Sequence, residues 1–339
     1  MKKVLLIVLA TALAATSCLK ESVVSGNSTV FINVKLPTAV TKAAGEGLKV
    51  DKLFYEVYCE DELVAKNETS LNNGAATLNI SLMRGVNYDL LLWAQSSETK
   101  IYSTQSLKNI EIKYSNNPQQ PQLGNDETRD AFCAYEPIYF SDQQTVVKTV
   151  FLKRPLSQLN FVTYDYGQEG RVGDTYLGTL AVRSSNVQVK EPANKYNVLT
   201  GEATANTNAT AFFYAEGPVD VDNTYGCDLI DLGKDQPCYH VSMNYILVPS
   251  NKVELEVAAQ FKVAYYDAQN KTYNHEREHY FERDQAPTTG DDHFEFVPVA
   301  KNHRTNIVGY LFSGNGEFTV DLDNSFEGNK EDNYHNLND

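Results

Sequence analysis

His275-Glu276-Arg277-Glu278-His279 satisfies the spacing H-E-x-x-H and, read the other way, H-x-x-E-H. On a helix, residues four apart share a face, so two imidazoles reach one zinc while the carboxylate activates the metal's water. The flanks here, Tyr265-Tyr266-Asp267 before and Tyr280-Phe281-Glu282 after, carry no apolar stripe to hold a helix against a core. In a strand the two imidazoles would stand roughly 13 Å apart, whereas metal–ligand bonds measure about 2 Å. The stretch therefore predicts a solvated hairpin arm, with no metal and no zinc peptidase. Asp321, Asp323, Ser325 and Glu327 imitate the start of a calcium loop, yet Phe326 stands where that loop's sharp turn needs Gly. A flexible acidic tail is the better reading. There is no Gly-rich phosphate loop or nucleophile elbow, so we expect no enzyme, no catalytic residues and no cofactor.

The cysteines point to a different chemistry. Lys2 and Lys3 form the basic start of a secretion signal over Met1 to Ser17, Val4 to Ala15 its apolar stretch, and Ala15-Thr16-Ser17 a run of small residues before Cys18. The apolar stretch is too short for a permanent membrane span. A Cys after small residues at a signal's end resembles a bacterial lipobox, which makes Cys18 the lipidation site: its thiol takes a diacylglycerol and its freed amine a third chain. Several acyl chains anchor a protein firmly to a membrane surface. An exported chain meets an oxidising compartment, so Cys59, Cys133, Cys227 and Cys238 are permitted disulfides. Cys227 and Cys238 flank a turn at Gly233 to Pro237, and a hairpin-closing bridge between them is the preferred pairing, although buried free thiols fit as well. No C-x-x-C pattern supports thiol exchange or a thiolate zinc site.

These residues must be carried by strands. In 339 residues with 29 Lys and Arg against 44 Asp and Glu, the formal charge is -15, which repels phosphate backbones and excludes a nucleic-acid partner. Tyr is abundant, at 21, and period-two alternation recurs throughout. Val30, Ile32, Val34 and Leu36 make one such ladder; Leu53, Tyr55, Val57 and Cys59 another; Ala76, Leu78, Ile80 and Leu82 a third. Asn73-Gly74 and Arg84-Gly85 mark turns. No stretch of a dozen residues keeps a 3.6-residue apolar stripe, so helices should be few and short. Such a chain hides its sheets by packing them face to face. The expected fold is all-β, two tandem antiparallel β-sandwiches: a signal over 1–17, a tether over 18–27, an N-terminal domain over 28–145, a C-terminal domain over 146–323 and an acidic tail over 324–339.

Four stretches together carry a family resemblance: Cys18 behind its signal; Thr41-Lys42-Ala43-Ala44-Gly45-Glu46-Gly47 leading into Lys52 to Tyr58; Val150 to Phe161 with Lys153-Arg154-Pro155-Leu156 inside it; and Val297-Pro298-Val299 with Asn302 to Gly309. In this order and spacing the chain resembles a fimbrillin-family lipoprotein of the Bacteroidota, a family that includes type V pilus subunits. The resemblance implies transthyretin-like sandwiches, an outer-membrane lipid anchor and a location at the cell surface or in a fimbrium. It also implies other fimbrial subunits or copies of itself as partners, and polymerisation after a maturation protease trims the N-terminal strand. Carried over to this sequence, the cut falls between Lys42 and Ala43, and Thr29 to Leu36 is the strand removed. The commoner family pattern has Arg where this chain has Lys42; uncut, the molecule resembles an anchor or terminal subunit.

Physical reasoning from the ladder supports the same mechanism. A sandwich that loses a strand exposes unpaired backbone and an apolar trough that another chain's strand can fill, and Val30, Ile32, Val34 and Leu36 suit that trough. The same ladder would also fit a permanent edge strand of the first domain. A different class of function is a non-polymerising outer-membrane lipoprotein that captures a glycan or a host protein, for which one Trp and several Tyr-rich loops are available.

Overall fold

The computed structural model describes residues 27–37, 49–139, 145–217, 229–230, 232–281, 294–312 and 318–323. Strands dominate, and the one helical element among the described residues is a single 3₁₀ turn at Glu127–Arg129, capped by the Asp126 side chain. The all-β expectation holds because alternation recurs on nearly every long segment.

Five strands open the chain: β1 (Asn27–Lys35), β2 (Lys52–Cys59), β3 (Glu62–Ser70), β4 (Ala75–Met83) and β5 (Asn87–Gln95). β1 lies in the middle of a three-stranded sheet, antiparallel to β4 on one side and parallel to Thr145–Phe151 on the other. A four-stranded sheet, in the order β3, β2, β5 and Ala131–Tyr139, packs beneath it. Between the two lies a core of Val30, Ile32, Val34, Leu78, Ile80 and Leu90 with their neighbours. The turn at Asn73-Gly74 forms as expected: both residues have positive φ, 51° and 73°, and Asn72 bridges to Ala75.

The four-stranded sheet is covered on both faces. Leu90 and Leu92 point to the first core, while Leu91 and Trp93 point to a second, shared with Tyr102, Ile110, Tyr196 and Tyr245. That second core is roofed by a sheet of four short strands, Tyr102–Ser103, Ile110–Ile112, Ala193–Asn197 and Glu202–Ala205.

In the C-terminal half a seven-stranded sheet built around Thr175–Lys190 and Glu254–Asp267 faces a five-stranded sheet built around Leu156–Thr163. Phe161 stands edge-on to Phe261 and Phe281 at 5.3 and 5.4 Å, filling the space between them. Leu156–Thr163 and Arg304–Gly309 are parallel neighbours with Phe161 opposite Ile307. Thus two of the stretches that carry the family resemblance meet side by side. Their polar side chains are satisfied in place: Asn160 Nδ2 donates to Asn306 Oδ1 at 2.9 Å and Arg304 Nε to Gln158 Oε1 at 3.0 Å.

Pairing crosses the division expected near residue 145 in two ways. Thr145–Phe151, expected to open the second half, lies against β1 in the first, and Ile110–Ile112 and Gln122–Leu123 pair with strands of the second half. At the seam Arg154 forms two bonds to Asp130, Nε to Oδ1 at 2.5 Å and Nη2 to Oδ2 at 2.6 Å, with both side chains buried and the guanidinium over the Phe132 ring.

Candidate functional site

The strongest candidate is the trough that holds β1. Val30, Ile32 and Val34 are 0 % exposed, while Asn27, Phe31, Asn33 and Lys35 alternate toward the outer face. The alternation read from the sequence is therefore the burial pattern of the strand. Leu36 continues the ladder past the strand end: it is partly buried, its N–H donates to the Gly74 carbonyl at 2.8 Å, and it packs where a Cβ on Gly74 would lie, 3.5 Å away. The strand itself runs over Asn27–Lys35, starting two residues before and ending one before the expected Thr29 to Leu36.

An edge position is contradicted, because β1 is bonded along both sides. Val30 stands opposite Ile80 of β4 and Val146 of the parallel neighbour, and Val34 opposite Ala76 and Val150. Arg84 Nε donates to the buried Ser28 Oγ at 2.8 Å and, on the outer face, Thr77 Oγ1 to Asn33 Oδ1 at 3.1 Å, pinning the two ends of the β1–β4 pair. The far side is closed by Thr145–Phe151, whose Lys148 bonds Glu136 and the Pro137 carbonyl across the sandwich corner. An inward-held lysine is a common guard of a sheet edge. On the outer face of that strand Val147 and Phe151 remain exposed, at 65 % and 61 %.

Cys18, Lys42, Ala43 and Cys227 lie outside the described residues. Cys238 is buried at the start of Cys238–Leu247, its Sγ 3.5 Å from the Gln236 carbonyl. Cys133 is buried beside the Tyr196 hydroxyl, at 3.5 Å, and loss of solvation pushes its thiol up to about 11.

The H-E-x-x-H stretch lies on the strand Thr272–Tyr280. His275 has φ +54°, and the ladder to Glu254–Asp267 slips there, between Val263 and Tyr265. Glu276 approaches Arg183 Nε at 3.8 Å, and that guanidinium lies over Tyr273 at 3.9 Å. His279 turns inward toward Phe312; burial, and then the charge of Arg277, lower its pKa. Among the described residues no group of three His, Cys, Asp or Glu could hold a metal ion. Asp321, from the calcium-like run, is engaged by Lys234 Nζ at 2.7 Å, while Ser325 and Glu327 lie outside the described residues.

Sequence reasoning missed a polar surface beside the second core. One cleft of about 530 Å³ is lined by Phe54, Asn67, Glu68, Gln105 and Lys113 among others, and a second, of about 280 Å³, by Lys113, Asn116, Asn194, Lys195 and Asn206 among others. Their residues come from strands far apart in the sequence, from β2 and β3 to Ala193–Asn197, so no local signal marks where they meet.

Residues 20–338 match the model of a family described only as a family of unknown function (DUF6562). No curated protein matches the chain. Among solved structures, a candidate cell adhesion protein from Bacteroides uniformis is 13 % identical, with a TM-score of 0.47 over 88 % of this chain and 98 % of that one. The fimbrial anchor protein Mfa2 from Porphyromonas gingivalis is 10 % identical, with a TM-score of 0.39 over 87 % and 95 %. A fimbrial assembly protein from Parabacteroides distasonis is 12 % identical, with a TM-score of 0.38 over 88 % and 100 %. Overlap at that level leaves the function of this chain to its own residues.

Proposed function

The chain belongs to the DUF6562 family of unknown function, and from that premise we propose that it is a cell-surface fimbrial subunit or adhesin that assembles by β-strand addition. In this reading the chain is delivered as a lipoprotein on Cys18 and trimmed between Lys42 and Ala43. Its trough is then filled by a strand from another fimbrial subunit or another copy, and two sandwich halves form the body. One observation carries the proposal. β1 is an inner strand whose three inward apolar side chains are wholly buried, so its removal would open two unpaired backbone ladders over an apolar floor. An unpaired ladder over an apolar floor is a ready template for another strand. Alternate side chains of the incoming strand would set its register, since a slip of one residue would turn the apolar set outward.

The sequence resemblance to fimbrillin-family lipoproteins supports the same reading. The depth at which β1 is held equally supports a molecule that keeps it, as an anchor or a free-standing surface lipoprotein binding a glycan or host protein would. Purified protein treated with trypsin separates these. Strand addition predicts loss of the first strand and ladders on a denaturing gel that collapse on boiling. Protein that is trimmed, has shed β1 and stays monomeric overturns it. The N-terminal residue of protein taken from cells is a second readout: Ala43 indicates assembly, acylated Cys18 an anchor.

A further inference from the structure

The two clefts beside the second core adjoin at Lys113, one reaching to Phe54 and the other to Asn206, and are together termed the groove. We propose that this groove binds an oligosaccharide chain and seats an acidic sugar on Lys113. The inference requires neither trimming nor strand addition.

The ligand class follows from the lining. Gln105, Asn116, Asn194 and Asn206 have side-chain amides with no hydrogen-bond partner within the protein, among the described residues. Each amide offers a donor and an acceptor side by side, which matches neighbouring hydroxyls on a sugar ring. Phe54, half-buried at one end with Lys52 Nζ 5.1 Å from its ring centroid, supplies apolar surface for the C–H groups of a sugar ring. The fully exposed residues of the lining are all polar or charged, Phe54, Tyr114 and Ala209 add half-buried apolar surface, and the volumes of about 530 and 280 Å³ suit several linked rings.

The charge preference follows from elimination. Lys66 is held by Glu56 at 2.8 Å, Glu68 by Lys52 at 2.8 Å, and Lys195 by Glu111 at 3.9 Å. Lys113 alone among the charged lining residues has no ion-pair partner among the described residues. It is exposed, and its backbone is held: it directly follows the strand Ile110–Ile112, and its N–H donates to the Ile101 carbonyl at 2.9 Å. A single ammonium in a chain of charge -15 suits one carboxylate rather than a polyphosphate. Ile110–Ile112 is paired on both sides, and the open ladders beside the cleft belong to the edge strands Glu62–Ser70 and Tyr102–Ser103, so an extended peptide is the rival occupant that the test must separate.

The test is an array of uronate-bearing, sialate-bearing and neutral glycans probed with the full-length chain, followed by calorimetry on the glycans retained. Lys113→Gln should weaken binding of acidic glycans about tenfold or more, the effect of losing a hydrogen bond to a charged group. It should leave neutral analogues within about twofold, while Phe54→Ala weakens both. Unchanged circular dichroism and urea midpoints for the two variants establish that they fold. The proposal is overturned if the wild type retains no acidic glycan, if Lys113→Gln retains them equally, or if an extended peptide competes for the groove and the glycans do not.

Discussion

Shaving Ile32 to Ala tests the trough directly, and Phe31→Ala on the same strand is its control. Ile32 is 0 % exposed on the inner face of β1, while Phe31 points to the outer face and is half-buried. Full burial of an aliphatic side chain is worth roughly 1.5–3 kcal/mol, so Val30, Ile32 and Val34 together contribute roughly 5–9 kcal/mol, as an upper estimate because unfolded chains already bury some surface. Typical domains are stable by only about 5–15 kcal/mol. A subunit without β1 would therefore stand near the edge of stability, which is what would drive it to take up a replacement strand. Ile32→Ala should cost roughly 2–5 kcal/mol through lost transfer and a residual cavity, and Phe31→Ala about 1 kcal/mol or less. Urea unfolding followed by the fluorescence of Trp93, the single tryptophan, reads both; it is buried in the sheet beneath the trough. At a slope near ~3 kcal/mol per M the Ile32→Ala midpoint falls by roughly 0.7–1.7 M. Equal shifts for the two variants, or a larger one for Phe31→Ala, would refute the assignment of the inward face.

Arg154→Met should destabilise the chain by about 3–5 kcal/mol, because it leaves the buried Asp130 carboxylate without its partner at the seam between the halves; adding Asp130→Leu should restore much of that loss in the same urea assay. Burial raises the pKa of Asp51, but the Ser97 hydroxyl and N–H, each donating at 2.7 Å, outweigh it and hold the pKa below the ordinary value of 3.8. A depressed carboxyl pKa adds stability above the unfolded value and loses it as pH falls through the folded one. The gap between wild type and Asp51→Asn, about 1 kcal/mol at this exposed site, should be present at neutral pH and close below pH ~3. With its thiol pushed up to about 11, Cys133 should resist iodoacetamide in the native chain at neutral pH and react once urea unfolds it, as read by peptide mass spectrometry.

The comparison with Ile32 and Phe31 also marks how far sequence alone reaches. Alternation fixed the face of each residue: Val30, Ile32 and Val34 point inward, Leu91 and Trp93 share one side of their strand, and Leu90 and Leu92 the other. It worked because side-chain direction in a strand is a local property with a period of two. Asn73-Gly74 was equally legible, since positive φ at two successive residues favours those types. The strand character of His275 to His279 was legible from the missing apolar stripe, although the slip at His275 was not.

Which strand lies beside which was decided only by tertiary structure. Nothing local in Val30 to Leu36 announces a parallel neighbour at Thr145–Phe151, and so an edge and an inner position looked alike in the sequence. Tyr102–Ser103 and Ile110–Ile112 are too short for any period, yet their meeting with Ala193–Asn197 roofs the second core and shapes the groove around Lys113. The Asp130–Arg154 pair likewise has no spacing rule. Alternation tells a residue which way to face, but its neighbour across the ladder is chosen by the sum of contacts over the whole chain, and both the trough and the groove are made of neighbours.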